Sequence, residues 1–190
     1  MNEINFSSTN WLALKINNQS FERFRHKIKG RVIHLGYGTS PYKEDMVKVA
    51  EEYIGVDWEH SFHNRPNVDV FADLSKPFPC EGECADNISS FQVMEPLKEP
   101  RLFLSECYRI LKTGRWLFIT LPFMWQVHQA PYNFFPYTRF GLRYLLEKNG
   151  FVDIEIQENS GFWQMWVLKF NYHTERFAQG PFKYSRIPIW

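Results

Sequence analysis

The sequence predicts an α/β fold, in which a mostly parallel, twisted sheet carries helices on both faces. Two observations support this prediction. Short apolar runs of strand character alternate with segments of helical spacing along most of the chain. The first of these runs ends at two glycines one residue apart, Gly36 and Gly38, where a ligand-binding loop is expected to follow a strand. Such alternation is typical of parallel β-α-β units with right-handed crossovers.

The first half of the chain contains four predicted strands and two predicted helices. Apolar spacing indicates the helices, and short β-branched or aromatic runs indicate the strands. In order, they are a helix that Ser20 opens over residues 20–29, a strand over 31–35, a helix over 43–52, and strands over 53–57, 68–74 and 86–93.

The second half continues the alternation. A helix over residues 101–112 stops at Gly114, and an apolar strand follows until Pro122. After a long loop, a helix from residue 139 ends at the capping Gly150. Residues 151–158 alternate apolar and polar side chains, which predicts a strand at the edge of the sheet.

Residues 122–138 contain three prolines and no clean period, which predicts a loop. Loops of this length inside compact domains are usually functional or disordered. Six aromatic side chains favour function over disorder, and we interpret the loop as a lid or as a stacking wall for an acceptor, against the alternative of ordinary core packing. The six residues are Phe123, Trp125, Tyr132, Phe134, Phe135 and Tyr137.

The composition predicts one domain spanning residues 1–190. A net charge of +1 gives no overall field that would attract nucleic acid. The sequence has no run apolar enough for a membrane span and no signal peptide, and three cysteines are an odd number, so we predict a cytoplasmic protein with reduced thiols. From Trp116 onward lie 20 of the 34 aromatic residues, which suggests an oligomer contact in this half.

The glycine loop is predicted to bind a nucleoside. Glycines let backbone N–H groups approach a ligand, and Asp57 closes the second strand, where a carboxylate can accept both hydroxyls of a ribose. A dinucleotide-binding loop would place a third glycine at the position of Pro41, so NAD is disfavoured. At the end of the third strand, Asp73 is either an acceptor for an adenine amino group or a turn cap.

Six segments, taken together and in order, resemble the class I S-adenosylmethionine-dependent methyltransferases, in the small-molecule branch found with surface-polysaccharide genes. They are "LGYGTSPYK", "YIGVD", "VDVFADLSKPFP", "SSFQVMEPLKEP", "ECYRILKTGRWLFITLPF" and "HQAPYNFFPYTRFGLRYLLEKNGF". The resemblance implies a Rossmann-like methyltransferase fold with a core of about residues 30–163, a substrate-side loop over 122–138 and a C-terminal extension over 164–190, which the natural chain could continue.

The resemblance also implies the roles of individual residues. S-adenosylmethionine would be the cofactor and a small-molecule or saccharide-like compound the acceptor, with His128 as the catalytic base and no metal. The implied cofactor-binding residues are Gly36, Tyr37, Gly38, Asp57, Trp58, Asp73, Leu74 and Gln92. The implied substrate-binding residues are Glu95, Trp125, Tyr132 and Tyr137.

Five positions depart from the pattern of that family. His34 stands where the family usually carries an acid that holds the ammonium group of the cofactor, and Tyr37 replaces a small residue. The Tyr37 ring would either face the sulfonium as a cation–π partner or fill the pocket. Pro96, Asn133 and Pro136 replace a histidine, an acid and an arginine. These changes suggest an altered substrate or a weakened catalyst, the latter being a binding or scaffold module with a methyltransferase fold.

Overall fold

The computed structural model describes residues 5–6, 8–59, 68–127 and 130–177. The strands are β1 Arg31–Leu35, β2 Glu52–Asp57, β3 Val70–Phe71, β4 Ala85–Phe91 and β5 Leu111–Thr120. The described helices are α1 Trp11–Arg25, α2 Lys43–Val47, α3 Pro100–Ile110, α4 Arg139–Lys148 and α5 Phe162–Phe177. The strands form one five-stranded sheet in the order β3-β2-β1-β4-β5, and every pair is parallel. The predicted α/β fold is confirmed.

The chain divides into two compact units. Residues 24–156 form the first, which contains the whole sheet together with α2, α3 and α4. Residues 1–23 and 157–190 form the second, within which the Arg23 guanidinium donates to Gln157 Oε1 at 3.3 Å and to Asn159 Oδ1 at 3.4 Å. The prediction of a single domain over residues 1–190 stays a prediction.

Helices cover both faces of the sheet, as predicted. Successive side chains of a strand point to opposite faces, so adjacent residues of β4 report on the two sides. The Ser89 hydroxyl of β4 contacts Met46 Sδ of α2 at 3.7 Å. On the other face, Ile88 belongs to the same buried cluster as Phe103 and Cys107 of α3. The sheet is therefore sandwiched between α2 and α3.

The apolar stripe of α3 anchors the core. Pro100 occupies the first turn, where no intrahelical N–H partner is required. Phe103, Leu104, Cys107 and Ile110 are all buried, at the spacing of one helix face. The helix thus fixes the orientation of β4, whose carboxyl end borders the site described below.

Several predicted elements differ from the observed ones: the helix predicted over 101–112 ends at Ile110, and Gly114, predicted to stop it, lies inside β5. Three further differences have a clear physical reason. The first helix begins at Trp11, so Ser20 lies inside it and not at its start, because buried Leu12 and Ile16 extend the apolar stripe toward the N-terminus. The second helix ends at Val47, since the chain must turn there for Glu52 to pair with Arg31. The third strand is only two residues long, because β2 offers it only Val56 and Asp57 as partners.

The predicted edge strand over residues 151–158 is wrong. These residues form no strand, and β5 is the last strand of the described sheet on that side. Local contacts to side chains hold the segment instead: Arg143 Nη2 donates to Ile154 O at 3.0 Å, and Lys27 Nζ lies 3.5 Å from Glu155 Oε2. Alternating polarity thus marks a half-exposed extended segment here, while strand formation also requires a neighbouring strand in register.

The prediction that all three cysteines are reduced is wrong as well. Cys80 and Cys84 form a disulfide, and Cys107 is a buried free thiol. The Arg109 guanidinium donates to Cys80 O at 2.8 Å, and Glu83 N donates to Arg109 O at 3.0 Å, so the chain between the two cysteines is folded back against the end of α3. This turn brings the two sulfurs together, which a count of cysteines could not indicate. The structure therefore removes one of the observations on which the cytoplasmic prediction was based.

Candidate active site

The strand order reverses between β1 and β4, so a ligand-binding crevice is expected at the carboxyl ends of these two strands. The chain builds β1, β2 and β3 toward one edge of the sheet and then returns to add β4 and β5 on the other side of β1. Open α/β sheets bind ligands at such a switch point. Gly36 follows β1, and a Cβ atom added to it would lie 2.2 Å from Val93 Cγ2, just beyond β4. The two chain segments that border the crevice are therefore in direct contact.

The loop after β1 needs both of its predicted glycines. Gly36 has a φ angle of +73° and Gly38 one of +50°, in the left-handed region that favours glycine. The N–H groups of Gly36 and Tyr37 both donate to Val56 O, at 2.9 and 3.0 Å, which ties the loop to β2. The glycines thus allow the backbone to fold across the ends of two strands.

We expect Gly36→Ala to lower the free energy of unfolding by roughly 3 kcal/mol, from left-handed backbone strain and from overpacking against Val93. Gly114→Ala is the matched control, because Gly114 has a similar φ of +72° but no atom within 4 Å of an added Cβ. The control isolates the backbone strain and should cost about 1 kcal/mol. Urea unfolding of both variants measures the difference, and equal losses would contradict the proposed contact.

Asp57 lies at the end of β2 with its side chain directed at the glycine loop. It is buried, Oδ2 accepts a hydrogen bond from Gly38 N at 2.8 Å, and Oδ1 accepts one from Trp58 N at 2.7 Å. Each carboxylate oxygen has a second lone pair, so the group can still accept hydrogen bonds from two hydroxyls. Asp57 therefore both shapes the loop and offers acceptors for the vicinal hydroxyls of a ribose.

His34 forms a neutral polar cluster below the loop. Its Nδ1 lies 2.6 Å from the Tyr53 hydroxyl and 3.4 Å from Ser40 Oγ, and those two hydroxyls are 2.9 Å apart. Complete burial lowers the pKa of His34 to about 3, so the imidazole carries no charge at neutral pH. Neither Tyr53 nor Ser40 was predicted from the sequence, although the hydroxyl of Tyr53 stands out beside the Ile54-Gly55-Val56 run of β2.

The Tyr37 ring packs back onto the sheet. It is buried, and a Cβ atom added to Gly55 of β2 would lie 2.2 Å from Tyr37 Cδ2. Lys43 Nζ is 5.3 Å from the ring centroid, so the ring already has a cationic neighbour. Of the two predicted roles for the Tyr37 ring, these contacts favour filling space beside β2.

Three further predicted cofactor residues have different surroundings. The Asp73 carboxylate accepts from Ser75 N at 2.9 Å and lies 3.3 Å from Lys76 Nζ. Burial alone would raise its pKa, but the Ser75 and Lys76 contacts hold the pKa below its usual value. Leu74 is part of the buried core, and Gln92 is exposed with a φ of +57°. The turn-cap role of Asp73 is thus observed, and a role toward adenine stays a prediction.

Glu95 is a buried acid close to the carboxyl end of β4. Its side chain is nearly inaccessible to solvent, and Oε2 has no hydrogen-bond partner among the described residues. Burial raises the pKa of Glu95 to about 7, with a smaller opposing effect of its own backbone N–H. An unpaired buried carboxyl is costly, and such groups concentrate at functional sites.

The described part of the loop over residues 122–138, here called the aromatic loop, reaches the carboxyl ends of both β2 and β4. The Tyr132 and Trp58 rings meet edge to face with centroids 6.3 Å apart, beside the end of β2. At the other side, Phe134 N and Phe135 N donate to Glu95 O at 2.9 and 3.3 Å. The predicted loop over residues 122–138 is confirmed in its described part, which contains neither helix nor strand. It lies where a lid over the crevice would lie.

Two other predicted residues belong to this loop. Trp125 is half-buried, and the predicted base His128 lies outside the described residues. Tyr137 is buried, and its hydroxyl donates to Met94 O at 3.3 Å. The structure thus brings Tyr132 and Tyr137 to the two sides of the crevice, and the role of His128 stays a prediction.

An apolar cavity of about 180 Å³ lies elsewhere in the same unit. Its lining runs from Arg31 at the start of β1 to Leu35 at the end, and it includes Phe78 and Ile110. The cavity therefore follows the α3 face of the sheet and is separate from the glycine loop.

The fold is shared with known proteins. Solved structures described as methyltransferases have the same Rossmann-like fold, to which the parallel sheet of this chain corresponds. Residues 33–119 of the chain match the family model described as a methyltransferase domain. The matched range begins in β1 and ends in β5, so it contains the glycine loop, Asp57 and Glu95.

Three known proteins are similar to this chain to different extents. The chain is 29% identical over 108 residues to a probable S-adenosylmethionine-dependent methyltransferase of Mycolicibacterium smegmatis. The matched region covers 54% of this chain but only 42% of that protein, so the chain spans less than half of the relative's length. The structure of a SAM-dependent methyltransferase from Archaeoglobus fulgidus superposes with a TM-score of 0.58 at 18% identity, covering 88% of each chain. The [4+2]-cyclase SpnF superposes with a TM-score of 0.67 at 17% identity, covering 88% of this chain and 68% of that one.

The Mycolicibacterium smegmatis protein and the Archaeoglobus fulgidus structure are both described as dependent on S-adenosylmethionine. The residues present fit this cofactor. The loop glycines leave room for it to contact the protein backbone, and Asp57 retains acceptors for its ribose hydroxyls. Among the described residues, no cluster of three or more histidines, cysteines or acids is suited to a metal ion. None of the helices in the described part of the chain combines the length and hydropathy needed to cross a bilayer.

Proposed function

We propose that this protein transfers a methyl group from S-adenosylmethionine to a small-molecule or saccharide-like acceptor. The observation on which the proposal rests is the buried Asp57 carboxylate, hydrogen-bonded to the glycine loop at the switch point of the sheet. That geometry presents carboxylate acceptors for a ribose directly beside the glycine loop. We also propose that the protein belongs to the branch found with surface-polysaccharide genes. An oligomer would form through the aromatic C-terminal half of the chain.

Each residue of the site has a defined task in this proposal. Gly36 and Gly38 hold the amino-acid part of the cofactor through the loop backbone, Asp57 holds the ribose, and Trp58 covers it. When bound, S-adenosylmethionine supplies an electrophilic methyl group on a positively charged sulfur. The protein then has to align the acceptor with that carbon and exclude water, which is the task assigned to the aromatic loop. His128 would accept a proton from the acceptor.

The neutral His34 cluster changes how the amino-acid part is held. The family that this sequence resembles usually has a carboxylate at the position of His34. This chain has uncharged hydroxyl and imidazole groups there instead. Neutral hydrogen bonds are roughly half as strong as charge-assisted ones. We therefore propose weaker cofactor binding than a carboxylate would give, without loss of the site.

Calorimetric titration of the protein with S-adenosylmethionine and with S-adenosylhomocysteine tests the proposal. Binding to the folded form must also raise the apparent melting temperature. We expect submillimolar affinity for both ligands and no binding of NAD. A protein that binds neither ligand would instead be a binding or scaffold module, an alternative that the comparisons do not favour. SpnF shares the fold under the name of a cyclase, so the reaction must be demonstrated by transfer of a labelled methyl group.

A further inference from the structure

We propose that the methyl acceptor presents a protonated amine, and that Glu95 binds it. This inference rests on the proposed function and specifies its substrate class. Its starting point is the Glu95 side chain, which is 3% exposed and has an Oε2 atom without a hydrogen-bond partner among the described residues. A buried carboxyl with an unused oxygen lacks the donor that would normally compensate its burial.

The chain around Glu95 connects the two loops of the proposed site. Two residues before Glu95, Val93 lies so close to the glycine loop that a Cβ atom added to Gly36 would be 2.2 Å from Val93 Cγ2. The backbone of Glu95 is bonded to Phe134 and Phe135 of the aromatic loop. Glu95 therefore lies between the glycine loop and the aromatic loop, and its buried carboxyl group is close enough to Tyr137 for its charge to act on that phenol. In the proposed function an acceptor enters between these two loops.

Aromatic side chains in the segment bonded to the Glu95 backbone are suited to a cation. Phe134, Phe135 and Tyr137 follow one another with ring centroids 6.5 and 6.2 Å apart. Lys98 Nζ lies 5.5 Å from the centroid of Phe134, which shows that this ring has an ammonium group as a neighbour. Burial, and next the negative charge of Glu95, raise the pKa of Tyr137 to about 12, which keeps the phenol neutral beside the acid.

Charge distinguishes an amine from a hydroxyl at this position. An ammonium group compensates a buried carboxylate with charge and hydrogen bonds at once, and aromatic faces attract it; a hydroxyl brings no charge. Burial sets the pKa of Glu95 near 7, so its carboxylate can also take up the ammonium proton. That transfer would leave a neutral carboxyl and a neutral amine. The electron pair of the amine could then form a bond to the methyl carbon while the bond between that carbon and sulfur breaks, with its electron pair remaining on the sulfur of S-adenosylhomocysteine.

Matched pairs of amines and alcohols test the inference by binding, without knowledge of the natural acceptor. The probes are ethylamine with ethanol, cyclohexylamine with cyclohexanol, and benzylamine with benzyl alcohol, each titrated into protein saturated with S-adenosylhomocysteine at pH 8. We expect at least one amine to bind about tenfold or more tightly than its alcohol. No preference in any pair, with S-adenosylhomocysteine bound, overturns the inference and leaves the proposed function standing. Failure of S-adenosylhomocysteine itself to bind counts against the proposed function.

Substitution assigns the preference to Glu95. Glu95→Gln should still bind S-adenosylhomocysteine but lose the preference for the amine, while Glu99→Gln, which changes an exposed acid nearby, should keep it. An amine preference that survives in folded Glu95→Gln overturns the assignment. Should Glu95→Gln fail to fold, Glu95→Asp is measured instead; its shorter side chain should weaken amine binding, and unchanged affinity would likewise overturn the assignment.

Discussion

Replacement of Asp57 by alanine is expected to weaken binding of S-adenosylhomocysteine by about 100-fold or more. Each hydrogen bond from a ribose hydroxyl to a carboxylate contributes roughly 1.5–3 kcal/mol, and two such bonds are lost together. The loss has a second source, because the Asp57 carboxylate also fixes the glycine loop through Gly38 N and the following residue through Trp58 N. Calorimetry of the purified variant measures the affinity.

Two further variants make the Asp57 result specific. Asp57→Asn keeps the shape and one acceptor, so it should retain part of the affinity that Asp57→Ala loses. Asp86→Asn is the matched control, because Asp86 is also a buried acid that accepts a backbone N–H, from Arg31 at 3.0 Å, but it lies at the start of β4. Asp86→Asn should bind normally. Unchanged affinity in folded Asp57→Ala would exclude the proposed cofactor site.

Acid is expected to destabilise the protein through His34. Burial lowers the pKa of His34 from 6.5 to about 3 in the folded state. Below pH 6.5 the unfolded chain therefore takes up a proton that the folded chain refuses until about pH 3, so unfolding becomes easier as the pH falls. The contribution is present in full above pH 6.5, and its loss is on the order of 4 kcal/mol by pH 3.

Urea unfolding between pH 7 and pH 4 checks this expectation. His34→Gln lacks the titrating ring, so the difference in unfolding free energy between it and the unmutated protein should shrink as the pH falls. His26→Gln, which removes an exposed histidine, should follow the unmutated protein throughout. Parallel pH profiles for His34→Gln and the unmutated protein would show that His34 is not held neutral by burial.

The absence of charge on His34 also affects how the proposed cofactor would bind. In the proposed function a charged imidazole below the glycine loop would repel a positively charged cofactor, whereas the neutral ring in contact with Tyr53 and Ser40 does not. The cluster would therefore take the place of an acid without adding a positive charge. We expect cofactor affinity to decline together with stability once His34 becomes protonated.

Local sequence features predicted the framework of the site well. The strand over residues 31–35 is β1 without change, and Gly36 and Gly38 have the positive φ angles that their residue type favours. Asp57 is the last residue of β2, as predicted. The loop over 122–138 is confirmed where it is described, because prolines and mixed periodicity prevent regular structure.

Other features depended on contacts between distant segments. Whether Tyr37 faces the ligand or the sheet depends on the space left by Gly55, which lies 18 residues further along the chain. Residues 151–158 have the polarity of a strand, yet they pair with none. The partner of Cys80 was decided by a turn that Arg109 holds in place.

The sequence alone determined the alternation of strands and helices, the glycine loop and the acid after β2, because backbone conformation and side-chain periodicity act over a few neighbouring residues. Only the tertiary structure decided that His34 is neutral, that Tyr37 is packed against β2 and that Glu95 is enclosed with an unpaired oxygen. Burial, and with it the pKa of an ionisable group, is a property of everything packed around a side chain, and those neighbours come from distant parts of the chain.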